Sequence, residues 1–148
     1  MSILDNVMQG RGTAPAQLTL REAVVTVLVA AAACDGAVSP AESDRVGLLL
    51  SSLRVCRQLP PEHRQALVER ALDLVSSLGP EGVLAACAAA TPADYRPALF
   101  ALGVEMVFAD EDVAEAEKRF VDDLQAALGL DDDQATRIAE VMLVRSQA

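Results

Sequence analysis

The sequence predicts an all-α domain, a bundle of about seven helices built from two pseudo-symmetric helix–acidic loop–helix units. Three observations lead there. Apolar residues make up 52% of the 148 residues while aromatics make up 3%, with no Trp. Such a core is packed from Leu, Val, Ala and Met, which suits helix on helix better than sheet on sheet. No segment alternates polar and apolar residues over a useful length, whereas apolar residues recur at helical spacing and Ser/Thr-x-x-Glu signals open the runs. Finally, the chain aligns with itself.

The elements follow in order. Thr19-Leu20-Arg21-Glu22 has the form of a capping box and opens an apolar stretch that ends near Cys34, where Asp35-Gly36 supplies a turn. Ser39-Pro40-Ala41-Glu42 is a second box with Pro at the first helical position, followed by Val46, Leu49, Leu50 and Leu53. Pro60-Pro61-Glu62 starts a third helix, lined by Leu67, Ala71, Leu74 and Leu78, which Gly79-Pro80 stops. A short fourth helix is expected from Val83 to Ala90. Thr91-Pro92-Ala93-Asp94 caps a fifth, with Leu99, Leu102, Met106 and Val107 apolar, ending before Asp110-Glu111-Asp112. The sixth spans Ala114 to Leu128, closed by Gly129. Asp131-Asp132-Asp133 opens the seventh, whose apolar positions are Ile138, Val141 and Met142, the acids suiting the helix dipole. Residues 1–15 read as a flexible lead-in without a secretory signal, and 16–148 as the helical domain.

A shift of 75 positions aligns Leu20–Leu53 with Tyr95–Leu128 without a gap, and ten of the thirty-four pairs are identical. Among them are Arg21 with Arg96, Asp35 with Asp110, Val38 with Val113, and Glu42 with Glu117. Both halves thus carry Asp-x-x-Val-x-x-x-Glu between two helices. The Val can pin the loop to the core while two carboxylates stand on either side of it.

If the units pack about a twofold axis, Asp35, Glu42, Asp110 and Glu117 converge on one face, with Asp112 nearby. Hard oxygen donors of this kind suit a divalent cation, Ca²⁺, Mg²⁺ or Mn²⁺, better than a thiolate-seeking metal. The same acids also have a purely structural use. Asp35-Gly36 is an ordinary turn, and Glu42 and Glu117 sit where a helix N-terminus favours an acid. Asp35 and Asp110 fit that use less well, because each follows a helix C-terminus, where the dipole disfavours an anion by up to roughly 1 kcal/mol. Neither loop has the ligand ladder of an EF-hand.

The net charge of −10 and pI near 4.4 argue against nucleic acid as a partner. The longest uncharged stretches, such as Ala23 to Cys34, are too short for a bilayer span, so no membrane-spanning segment is expected. Cys34, Cys56 and Cys87 are odd in number and lie in apolar surroundings, as in a reducing cytoplasm. The one histidine, His63, sits at a polar helix start, and no catalytic triad, phosphate loop or nucleophile elbow can be assembled. The chain is not expected to be an enzyme.

At Ala31-Ala32-Ala33-Cys34-Asp35-Gly36-Ala37-Val38-Ser39-Pro40-Ala41-Glu42, and again from Phe108 to Glu117, the sequence resembles the TerB-like family. That family includes tellurite-resistance TerB proteins and the N-terminal domain of DjlA-type co-chaperones. The resemblance runs from about Leu18 to Arg145. It implies an all-α fold of about seven helices and a divalent metal held by Asp35 and Glu42 from one half and Asp110 and Glu117 from the other. In the second half Glu111 stands where the motif has glycine. The resemblance also implies a stress-response role through protein partners, membrane-associated components among them. A homodimer stays open, as do a metal-free interaction module and a metal-dependent hydrolase.

Overall fold

The computed structural model describes residues 17–36, 38–109 and 112–148. The expected lead-in, 1–15, and the candidate ligand Asp110 lie outside the described residues. Among those described there are six α-helices and no strand: α1 (Leu20–Ala33), α2 (Pro40–Ser52), α3 (Pro61–Ala89), α4 (Arg96–Phe108), α5 (Glu115–Leu128) and α6 (Asp132–Ser146).

Helix α1 is the axis of the bundle, with every residue from Ala23 to Ala32 buried. A helix apolar on all sides has to be surrounded, and α1 packs against α2, α3 and α4. It starts at a complete capping box. The Thr19 N–H donates to Glu22 Oε1 at 2.9 Å, and the Glu22 N–H donates to Thr19 Oγ1 at 3.1 Å. Arg70 of α3 pairs with the other oxygen of Glu22. The cap bond to Thr19, aided by Arg70, holds the Glu22 carboxyl below its ordinary pKa.

Helix α4 packs against α1 on one side and against α5 and α6 on others. Gly103 makes this possible, since a Cβ there would stand 2.5 Å from Leu124 Cδ2 and 3.5 Å from Val27 Cγ1. Helix α5 is terminated by Gly129 in the left-handed conformation, φ 69°, as the sequence predicts. Asp131 caps α6, accepting the Gln134 N–H at 2.7 Å.

One sequence expectation is met with shifted bounds and two need correction. First, the stop expected at Gly79-Pro80 is present, and the third and fourth helices are the two arms, 61–78 and 80–89, of one broken element, the second arm starting three residues earlier than expected. Gly79 takes φ 74°, ψ 173°, which redirects the chain, and Pro80 then occupies the start of the second arm, where its missing N–H costs nothing. Second, Thr91 does not cap the next helix. Its hydroxyl is turned back to the Cys87 carbonyl at 2.7 Å, and a single 3₁₀ turn, Ala93–Tyr95, precedes α4. Third, Val141 does not share the buried face with Ile138 and Met142, and is 65% exposed.

By length and composition alone α3 is long and apolar enough to cross a membrane, with 33% of its most apolar window buried. The bend at Gly79 falls within it, and Ala71, Leu74, Val83, Leu84, Cys87 and Ala88 pack into the core.

Candidate functional site

The first acidic corner is built by the end of α1 and the start of α2. Helix α1 carries no basic residue in its last turn, and Cys34 forms its C-cap. The chain then turns through Asp35 and Gly36, the latter at φ 131°, with the Gly36 N–H donating to the Ala33 carbonyl at 3.0 Å. Ser39 and Glu42 complete a reciprocal box. The Ser39 N–H donates to Glu42 Oε1 at 3.0 Å, and the Glu42 N–H donates to Ser39 Oγ at 3.1 Å. Asp35 is exposed and Glu42 half-buried.

The second corner repeats this plan with one part missing. Helix α4 also ends without a basic residue in its last turn. Val38 and Val113 both pack against the core, as expected of residues that pin the loops. The Ala114 N–H donates to Glu117 Oε1 at 2.9 Å. Ala114 stands where the first corner has Ser39, so no hydroxyl is present to return the bond. Glu117 is nevertheless only 9% exposed. Asp112 is exposed in the loop.

Cys34 reports on both corners. Its thiol is pushed up to about 11, first by burial, then by the negative charges of Glu117, Asp35 and Glu42. One carboxylate of the second unit and two of the first therefore act on a single sulfur. Of the five sequence candidates, Asp35, Glu42 and Glu117 share this neighbourhood, Asp112 lies exposed, and Asp110 is outside the described residues. Among the described residues, no group of three or more His, Cys, Asp or Glu side chains is already gathered to hold a metal. The donor chemistry suits a hard cation, since each capping carboxylate spends one oxygen on a backbone N–H and has a second.

The family model for tellurite resistance protein TerB matches residues 21–140. The chain belongs to the TerB family. No curated protein and no solved structure matches it. The match spans both acidic corners and every helix of this TerB domain, apart from the end of α6.

Two features of the TerB domain went unseen in the sequence. The first is a cleft of about 240 Å³ beside Cys34, walled by Val75 and Pro80 at the bend of α3 and by Ala116, Arg119 and Phe120 of α5. Its signal was Gly79-Pro80, which read as a stop between two helices without showing that the break opens a cleft. The second is a pair of arginine clamps. Arg21 Nε donates to the Val55 carbonyl at 2.6 Å, just beyond α2. Arg96 holds three carbonyls, Ala88 at 3.0 Å, Thr91 at 3.1 Å and Leu128 at 3.2 Å, the last closing α5. Each arginine thus ties the first helix of its unit to the end of the second, which accounts for the identity of Arg21 and Arg96 in the repeat.

Proposed function

We propose that this TerB domain is a cytoplasmic, non-catalytic stress-response module of the tellurite-resistance type. It binds a divalent cation between its two acidic corners and offers the resulting face to protein partners. The observation that carries the reading is the position of Cys34, whose thiol feels Glu117 from one unit and Asp35 and Glu42 from the other. Two further points support it. The helices that run into the corners, α1 and α4, end without a basic residue to offset their negative dipole ends, so a cation is complementary to both. Glu117 is held largely out of water although its own helix needs it for only one N–H bond.

In this reading Asp35, Glu42, Asp110 and Glu117 supply oxygen donors, with Asp112 at the rim. The cation turns repulsion between two like-charged loops into a shared attraction, which draws the units together. Protein partners then meet loops whose charge and spacing depend on the ion. Three free cysteines, Cys34 half-buried and Cys56 and Cys87 buried, agree with a reducing compartment.

Calorimetric titration of the full chain with Ca²⁺, Mg²⁺, Mn²⁺ and Zn²⁺ tests this. A hard cation is expected to bind with an affinity on the order of 10⁻⁴–10⁻³ M. The heat is lost in Asp35→Asn, Asp110→Asn and Glu117→Gln, and Zn²⁺ has no advantage. Absence of binding at millimolar metal rejects the cation. It would leave a metal-free interaction module, the reading favoured by the capping bonds that Glu42 and Glu117 make to their own backbone.

A further inference from the structure

Helix α6 turns one face inward and leaves the opposite face bare. Ala135, Ile138 and Met142 pack into or against the core. Arg137, Val141 and Val144, spaced i, i+4, i+7, form a stripe on the other side. Val141 is 65% and Val144 70% exposed. The two valines sit one turn apart in the last two turns of α6 and form a small exposed apolar strip bordered by charges. We propose that this face is a self-association surface, on which a second copy of the chain lays its own α6 in parallel.

The charges flanking the two valines select both the partner and its direction. Val141 and Val144 are three residues apart, as successive core positions of a two-helix seam are, with Glu140 just before the first and Arg145 just after the second. In a parallel pair, flanking residues five apart meet across the seam. Glu140 then faces the partner's Arg145, and the symmetry repeats the contact, giving two ion pairs around four valines. In an antiparallel pair each flank meets its own kind, Glu140 against the partner's Glu140 and Arg145 against the partner's Arg145, so the charges oppose that arrangement. Arg145 bonds Glu105 of α4 through Nε at 2.9 Å, which orients the guanidinium and keeps its Nη groups for a second carboxylate.

The neighbourhood extends the face on one side. Leu48 of α2 is 75% exposed and borders, with Met142 and Arg145, a groove between α2 and α6 of about 540 Å³. Its apolar surface widens the flank on which the partner's helix would lie. Arg137 limits the seam at the other end, because it would meet the partner's Arg137. A seam of one heptad, between chains that each carry −10 charges, belongs to the weak, transient class of interfaces and tightens as salt screens the repulsion.

Sedimentation equilibrium of the full chain from about 10 µM to about 1 mM, with chelator present and salt near 0.15 M, tests this apart from any cation. A concentration-dependent dimer is expected. Val141→Lys with Val144→Lys abolishes it while leaving the helical circular dichroism unchanged, because neither side chain is in the core and a cation suits the C-terminal end of α6. Glu140→Arg weakens the dimer about ten-fold or more, and Glu140→Gln weakens it less. A chain monomeric at the highest concentration overturns the proposal. So does a dimer that survives the valine changes, or one that Glu140→Arg leaves as tight as before, since the pairing across the seam would then be wrong.

Discussion

The two acidic corners follow one plan and solve it differently. At the first, Ser39 and Glu42 exchange two hydrogen bonds, and the carboxylate sits half in water. At the second, Ala114 has no hydroxyl, so the Glu117 N–H donates to the Ala114 carbonyl at 3.0 Å, yet Glu117 is 9% exposed. Each carboxylate accepts one backbone N–H, but Glu117 gives up more hydration than Glu42 for the same bond, which helix capping alone does not explain. The structural use of these residues therefore accounts for the first corner better than for the second. The excess demand at Glu117 is where a ligand's influence would be sought.

The same contrast runs through the core, where the largest effects are expected. Leu28 and Gly103 occupy equivalent positions of the repeat, one fully buried and the other leaving no room for a Cβ. Leu28→Ala should cost about 2–5 kcal/mol, as a cavity opens in the centre of α1. Gly103→Ala fails for the opposite reason. The added methyl displaces Leu124 and is expected to cost roughly 1–3 kcal/mol, partly offset by the better helix propensity of Ala. Urea denaturation of both variants measures this, and a neutral Gly103→Ala would mean that α4 and α5 are less closely packed than described.

Next in size are the arginine clamps. Arg96→Ala removes three charge-assisted bonds to carbonyls and should cost about 2–4 kcal/mol. Arg96→Lys recovers little, because one ammonium cannot span Ala88, Thr91 and Leu128. Arg21→Ala, which loses one bond at an exposed site, should cost less than half as much. Equal losses would show that the units depend on their clamps alike.

What could be read in the sequence and what could not divides by range. Local rules worked. Both Ser/Thr-x-x-Glu boxes formed, Gly129 closed α5, and Asp131 opened α6, because each depends on residues within one turn. Gly79-Pro80 read correctly as a break between two helices, but the start of the second arm did not, since Pro80 itself takes its first helical position. Thr91 had two local carbonyl or amide partners to choose from and turned backward. The periodicity of α6 admits Val141 on either edge of its apolar stripe, and only the position of α4 decides. At the candidate site, Glu42 and Glu117 were visible as a repeated spacing. Cys34 read as one more small core residue, because the strongest of the charges around it, Glu117, comes from a helix more than eighty residues away.

A smaller effect would make the corners equal. Ala114 already has the extended N-cap geometry, φ −72° and ψ 160°. Ala114→Ser should therefore complete the second box and stabilise the domain by about 0.5–1 kcal/mol, while Ser39→Ala should destabilise it by about 1 kcal/mol. Thermal melts of the two variants should move in opposite directions. Cation binding should be unchanged in Ala114→Ser, since the added hydroxyl accepts the Glu117 N–H and leaves the carboxylate as it was.

The smallest effect bears most directly on whether the corners meet. Cys56 and Cys87 are buried, so in the native protein Cys34 is the accessible thiol among the three. Burial and the charges of Glu117, Asp35 and Glu42 put its pKa at about 11, so near pH 8 few molecules carry the reactive thiolate, and alkylation should be slow and rise steeply with pH. Neutralising a nearby carboxylate removes one source of that rise, lowers the pKa and speeds the reaction. Glu117→Gln keeps an acceptor for the Ala114 N–H and should accelerate alkylation of Cys34 roughly two- to five-fold, more than Glu42→Gln does, because Glu117 acts the more strongly of the two. Peptide mapping of the alkylated chain across pH gives the rates. A Glu42→Gln effect without a Glu117→Gln effect would mean that the second unit stands away from the first, and a cation shared between them would have no place to bind.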